Sequence, residues 1–153
     1  GNGGAARAVA VGLGMLEISQ IDFRVRDFDK AKPLYDSVSK IFPNTKFNLI
    51  KIIDNIPQYS MIINTTPLGT TGENEGKMPL ASSILEQADK STLVYDLVYN
   101  PEETVLIKTA KSIGLQTVGG LDMLIGQAVK GFKIFTKYLI AFEKKSLIYI
   151  SPT

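Results

Sequence analysis

At 153 residues, with 44% hydrophobic and 21% charged side chains, the chain is long enough for one globular domain with a substantial core. A net charge of +2 gives no electrostatic case for nucleic acid or an anionic membrane as partner, and no apolar run approaches bilayer-spanning length. The absence of cysteine and histidine excludes disulfides, thiolate catalysis, Cys-rich zinc sites and Ser-His-Asp triads, so acid–base work within the chain falls to Asp, Glu, Lys or Tyr.

The first segment, GNGGAARAVA (1–10), reads as a glycine loop opening a helix from Ala5 to near Met15. QIDFRVRDF (20–28) alternates Ile21, Phe23 and Val25 with polar neighbours, a strand signature with a basic end. DFDKAKPLYDSVSKIF (27–42) follows as a helix with an Asp N-cap, its Pro33 expected near the first turn, where proline is tolerated. KFNLIKII (46–53) and YSMIINT (59–65) read as buried strands, and TPLGTTGENEGKMP (66–79) as a loop.

A short helix near Ser82–Gln87 precedes TLVYDLVY (92–99), a continuous apolar strand of the kind found in parallel sheets. PEETVLIKTAKSIG (101–114) carries helix signals at both ends, proline and acids first and glycine last. LQTVGG (115–120) is a short strand, LDMLIGQAVKGFKIFTKYLIAF (121–142) a longer helix, and SLIYIS (146–151) a final strand-like run. This alternation predicts an α/β fold, a Rossmann-like doubly wound and mostly parallel sheet. The expected domain runs over 1–137, with 138–153 as a helix end and a strand-like tail.

Gly1-Asn2-Gly3-Gly4-Ala5-Ala6 fits G-x-G-x-x-A. In that pattern the first glycine permits a tight turn, the second a close approach to pyrophosphate, and the small last residue close helix packing. A strand tip that could read a ribose follows at the expected separation of about 20 residues. Here that tip carries Arg26, with Lys30 a turn into the helix, and cations there suit the 2′-phosphate of NADP. Asp27 either repels such a phosphate or simply caps the helix, and a solvated basic strand end is the plain alternative.

Several segments together resemble the shikimate dehydrogenase family, and specifically its C-terminal NADP-binding domain. GNGGAARAV (1–9) is similar to that family's GAGGAARAV loop, and VRDFDKA (25–31) to its N-R-T-x-x-K/R-A motif through Arg26, Lys30 and Ala31. INTTPLG (63–69), DLVYNPEET (96–104) and GLDMLIGQA (120–128) resemble N-A-T-P-x-G, D-x-V-Y-x-P-x-x-T and G-x-x-M-L-x-x-Q. Val25 and Asp27 depart from the family's Asn and Thr or Ser, which leaves NAD open as an alternative to NADP.

The resemblance implies roles. Gly1, Asn2, Gly3, Gly4 and Ala5 would hold the pyrophosphate, and Arg26 with Lys30 the 2′-phosphate. Asn64 and Thr66 would shape the wall beside the cofactor ribose, Leu97, Gly120 and Met123 would line the nicotinamide, and Tyr99 and Gln127 would reach the hydroxy-acid substrate. Read without the family, Tyr99 is equally a packed strand-end ring, Met123 a core filler, and Asn64 with Thr66 a stabilised turn. Gln127, four residues beyond Met123, shares its helix face and equally belongs to one packed stripe.

The resemblance also places the family's catalytic Lys and Asp in an N-terminal substrate domain, near N-x-T-x-P-x-K and N-T-D segments that do not occur here. In a doubly wound sheet the strand before the glycine loop is central and flanked on both sides. The chain therefore reads as a truncated piece of a longer enzyme, without that first strand and inactive alone. KKSLIYIS (144–151) is an alternative occupant of the central slot. The implied activity is the reversible, NADP-dependent reduction of 3-dehydroshikimate to shikimate, in the cytoplasm, with a small-molecule substrate and no nucleic-acid or membrane partner. A homodimer is compatible with this. An NAD-using quinate/shikimate relative and a non-catalytic nucleotide-binding module are the rival readings, and a short-chain dehydrogenase would need a Tyr-x-x-x-Lys that the chain lacks.

Overall fold

The computed structural model describes residues 1–52, 56 and 59–136. The first helix, α1 (Gly4–Met15), approaches its neighbours through small residues. Ala6 and Ala10 are buried, and a Cβ on Gly14 would fall 2.6 Å from the Phe42 ring. Their four-residue spacing puts all three on one helix face, so the backbone itself forms the contact. Strand β1 (Gln20–Arg24) pairs in parallel with β2 (Lys46–Ile50), setting Ile21 opposite Phe47 and Phe23 opposite Leu49. The Phe23 and Phe47 rings stack at 6.0 Å and, with Val25, build one core against α1 and α2 (Phe28–Ile41).

Pro33 lies within α2, beyond the first turn where the sequence placed it. Its missing N–H weakens that turn locally. The apolar face of Ala31, Leu34 and Val38, all buried, holds the helix together across it.

A second sheet has the order β3 (Met61–Asn64), β4 (Leu93–Asp96), β5 (Gln116–Val118), all parallel. One face, through Ile62 and Val94, packs on Leu85 of α3 (Ser82–Leu85) and on Leu106 and Ala110 of α4 (Val105–Ser112). The opposite face, through Ile63 and Tyr95, turns toward α1 and α5 (Gly120–Thr136). Helices thus lie on both faces of parallel strands, the doubly wound arrangement expected from the sequence. Among the described residues β1 and β3 do not pair with each other. Gly1 sits between their tips: its nitrogen donates to the Arg24 carbonyl at 3.3 Å, and a Cβ there would meet Thr65 Oγ1 at 3.0 Å.

Several boundaries differ from the sequence reading, and two of them have a hydrogen-bonding reason. Helix α4 starts at Val105 because the Thr104 hydroxyl accepts the Ile107 N–H at 3.3 Å, so Pro101 and the acids after it precede the helix. Strand β4 ends at Asp96 although the apolar run continues to Tyr99, because the Asp96 carboxylate takes the Val98 N–H at 3.0 Å and turns the chain out of the ladder. Gly120 opens α5 where the sequence extended β5. The expected helix end at 137–142 and the strand-like run 146–151 lie outside the described residues.

Candidate functional site

The carboxyl ends of β1, β3 and β4 and the start of α1 meet at one end of the molecule, where open α/β sheets place their ligands. An open cleft of about 380 Å³ lies there, lined by Ala5, Thr65, Thr66, Pro67, Thr70, Leu97, Val98, Tyr99 and Asn100. Ala5, Thr66, Leu97 and Tyr99, expected at a site from separate segments, therefore share one wall. A larger cleft of about 480 Å³ lies between α1 and α5 and is lined chiefly by apolar side chains, among them Val9, Leu13, Met61 and Ile63. It carries few of the polar groups that orient a ligand, so its size does not make it the site.

Residues 1–5 are exposed, and Gly3 caps α1 in extended conformation without a side chain. A Cβ on Gly3 or Gly4 would meet nothing within 4 Å, so the helix start presents open backbone of the kind that takes an anion.

The strand-tip cations are not equivalent. Arg24 donates to the Pro79 carbonyl at 2.6 Å, tying β1 to the loop before α3. Arg26 is exposed, and among the described residues nothing is paired with its guanidinium. Lys30 lies 3.7 Å from the Asp27 carboxylate, which also accepts the Lys30 N–H at 3.2 Å as the α2 cap. Asp27 is thus both cap and counter-ion. Val25 is buried with Phe23, which explains an apolar residue at that position. Lys51, absent from the sequence reading, sits 5.1 Å over the Phe28 ring at the same strand ends. Its signal was faint: one lysine closing an apolar strand.

The backbone N–H of Lys30, foremost, holds the Asp27 carboxyl below its usual pKa. A depressed folded pKa contributes stability above the unfolded value and loses it as pH falls through the folded value. Asp27→Asn keeps a good cap while removing the titration. The variant is expected to lose less thermal stability as pH falls below the ordinary aspartate pKa of about 3.9, and an unchanged acid limb would show that the cap does not couple to folding.

Asn64 is 2% exposed, and its side chain is committed inward. Its amide donates to Asp96 Oδ1 at 2.9 Å and to the Leu68 carbonyl at 3.1 Å, while its Oδ1 accepts the Thr66 hydroxyl at 2.7 Å. It shapes the wall through Thr66, not as a free polar face. Gly120 is buried, and a Cβ there would fall 2.5 Å from the Leu97 and Val98 carbonyl oxygens, so its contribution is close backbone approach. Met123 lines the larger cleft beside Asp122, apart from Leu97 and Tyr99, and Gln127 is exposed on α5. The structure does not bring these two into the cleft beside the glycine loop.

No protein-family model matches the chain. Over 138 residues the chain is 36% identical to the shikimate dehydrogenase (NADP(+)) of Crocosphaera subtropica, an alignment covering 88% of this chain and 48% of that protein. It is also 34% identical, with a TM-score of 0.76, to a solved shikimate dehydrogenase in complex with NADP+, over 90% of this chain and 47% of that one. By sequence and by fold, the chain is similar to the shikimate dehydrogenase family over nearly its whole length. A quinate dehydrogenase from Corynebacterium glutamicum in complex with NAD is similar as well, at 30% identity and a TM-score of 0.79, covering 90% of this chain and 48% of that one. The chain spans about half the length of the shikimate dehydrogenases it matches.

Proposed function

We propose that residues 1–137 form the dinucleotide-binding domain of an NADP-dependent shikimate dehydrogenase, with 138–153 appended to it. The observation that carries this reading is the convergence of Ala5, Thr66, Leu97 and Tyr99 on one cleft beside the glycine loop. The open backbone of Gly3 and Gly4 at a helix start fits a pyrophosphate, and Arg26, which has no partner among the described residues, fits a 2′-phosphate.

In this reading Gly1 to Ala5 hold the pyrophosphate, Arg26 binds the 2′-phosphate with Lys30 beside it, Thr66, held by Asn64, walls the cofactor ribose, and Leu97 lines the nicotinamide. Gly120 contributes by letting α5 close on the Leu97–Val98 backbone. When bound, the cofactor supplies the hydride for reducing a ketone such as 3-dehydroshikimate. Tyr99, 55% exposed at the cleft, is placed to hydrogen-bond a hydroxylated substrate. Met123 and Gln127, the α5 positions that the resemblance assigns to the nicotinamide and the substrate, lie outside this cleft. Proton exchange with the substrate alcohol is assigned to a lysine and aspartate of a substrate domain, and the chain alone is expected to be inactive.

Among the described residues no helix is long and apolar enough to cross a membrane. A cytoplasmic enzyme acting on a small hydroxy acid completes the proposal, and a homodimer is compatible with it.

Calorimetric titration of the chain with NADPH and NADH tests it. Tighter NADPH binding, by about tenfold or more, is the expected result. A folded chain that binds neither would overturn the assignment. Comparable affinities would favour a quinate- or NAD-using relative, a second reading motivated by the Asp27 carboxylate held 3.7 Å from Lys30.

A further inference from the structure

One buried acid stands outside the functions assigned so far. Asp96 ends β4 with 0% exposure, within an otherwise apolar run. A buried carboxylate is costly unless hydrogen bonds satisfy it, and here three donors converge on it. Asn64 Nδ2 and the Val98 N–H reach Oδ1 at 2.9 and 3.0 Å, and the Thr104 hydroxyl reaches Oδ2 at 2.7 Å. Each donor belongs to a different part of the cleft's support. Asn64 is the tip of β3 and organises the turn carrying Thr66. Val98 belongs to the wall with Leu97 and Tyr99. Thr104 caps α4, and a Cβ on Gly69 (φ +97°) would lie 3.2 Å from its methyl carbon, so the 65–72 loop leans on it too.

The two loops are also joined beyond Asp96, since Thr71 N–H donates to the Asn100 carbonyl at 3.0 Å. Both walls of the cleft are thus tied to one side chain that does not line it. Resting on the function proposed above, we propose that Asp96 is the positioning residue for the nicotinamide half of the site. It sets the Thr66 and Leu97–Tyr99 walls by hydrogen bonding and has no part in holding the adenine half. The cations of that half, Arg26 in the turn after β1 and Lys30 on α2, belong to segments to which Asp96 makes none of these bonds.

The test compares calorimetric binding of NADPH with that of adenosine 2′,5′-bisphosphate, which keeps the 2′-phosphate and lacks nicotinamide. In Asp96→Ala the expected result is NADPH binding weakened about tenfold, with the bisphosphate unchanged. Asp96→Asn should restore NADPH binding to within a few-fold. Its Oδ1 still accepts Asn64 and Val98, and its amide donates to a rotated Thr104 hydroxyl. A residue that only stabilises the fold would leave both affinities unchanged in folded protein, and that result overturns the proposal. Equal weakening of both ligands overturns it as well. If Asp96→Ala does not fold, Thr104→Val decides by the same two affinities, since it removes one donor while keeping the side-chain shape. A wild-type chain that binds neither ligand overturns the functional reading itself, and this inference with it.

Discussion

Replacing Gly120 with alanine is expected to lower the unfolding free energy by a net 1–2 kcal/mol (roughly, from overpacking costs of about 1–3 kcal/mol). The opposing effect is helix propensity, where alanine gains at most about 1 kcal/mol over glycine. The steric cost should dominate because the new Cβ would fall 2.5 Å from the Leu97 and Val98 carbonyl oxygens, and these are backbone atoms with no rotamer to change. Relief requires either α5 to back away or the 97–98 turn to shift into the cleft. NADPH affinity should therefore fall together with the urea midpoint. A Gly120→Ala chain as stable as the parent would show that the 97–98 turn yields freely, contrary to the tight network around Asp96.

Replacing Arg26 with alanine is expected to cost about 10- to 100-fold in NADPH affinity while leaving NADH binding within about twofold, since hydrogen bonds to a charged group contribute roughly 1.5–3 kcal/mol each. Arg26 is the strand-tip cation with no competing partner among the described residues, whereas Arg24 is engaged by Pro79 and Lys30 by Asp27. Its fork geometry also suits phosphate better than an ammonium does. Folding should be unaffected, because the side chain is exposed. Equal losses for both cofactors would mean that Arg26 acts on the shared pyrophosphate through its field at the glycine loop. No loss for either would move the 2′-phosphate to Lys51, which stands over the Phe28 ring at the same strand ends.

Much of this molecule was legible from local sequence. The small Ala6 implied close packing of the first helix, Asp27 its neighbour's cap, and the alternation of Ile21, Phe23 and Val25 a strand with one buried face. These features depend on contacts within a few residues of chain or on one periodic face, so a short window carries them. Family motifs added the segments that line the cleft, namely the helix start at Ala5 and the strand-end turns carrying Thr66 and Leu97.

Tertiary structure alone decided what those segments do to one another. Asn64 and Asp96 stand 32 residues apart, and only the parallel register that sets them side by side turns two strand ends into one hydrogen-bonded unit. The same holds for Gly120 against the 97–98 carbonyls, for Lys51 over Phe28, and for Met123, whose helix position directs it into the α1–α5 cleft. Sequence determined which residues stand at strand ends and helix starts. The fold determined which of those ends meet, because hydrogen bonds and steric contacts act over distances in space that the chain's own spacing does not encode.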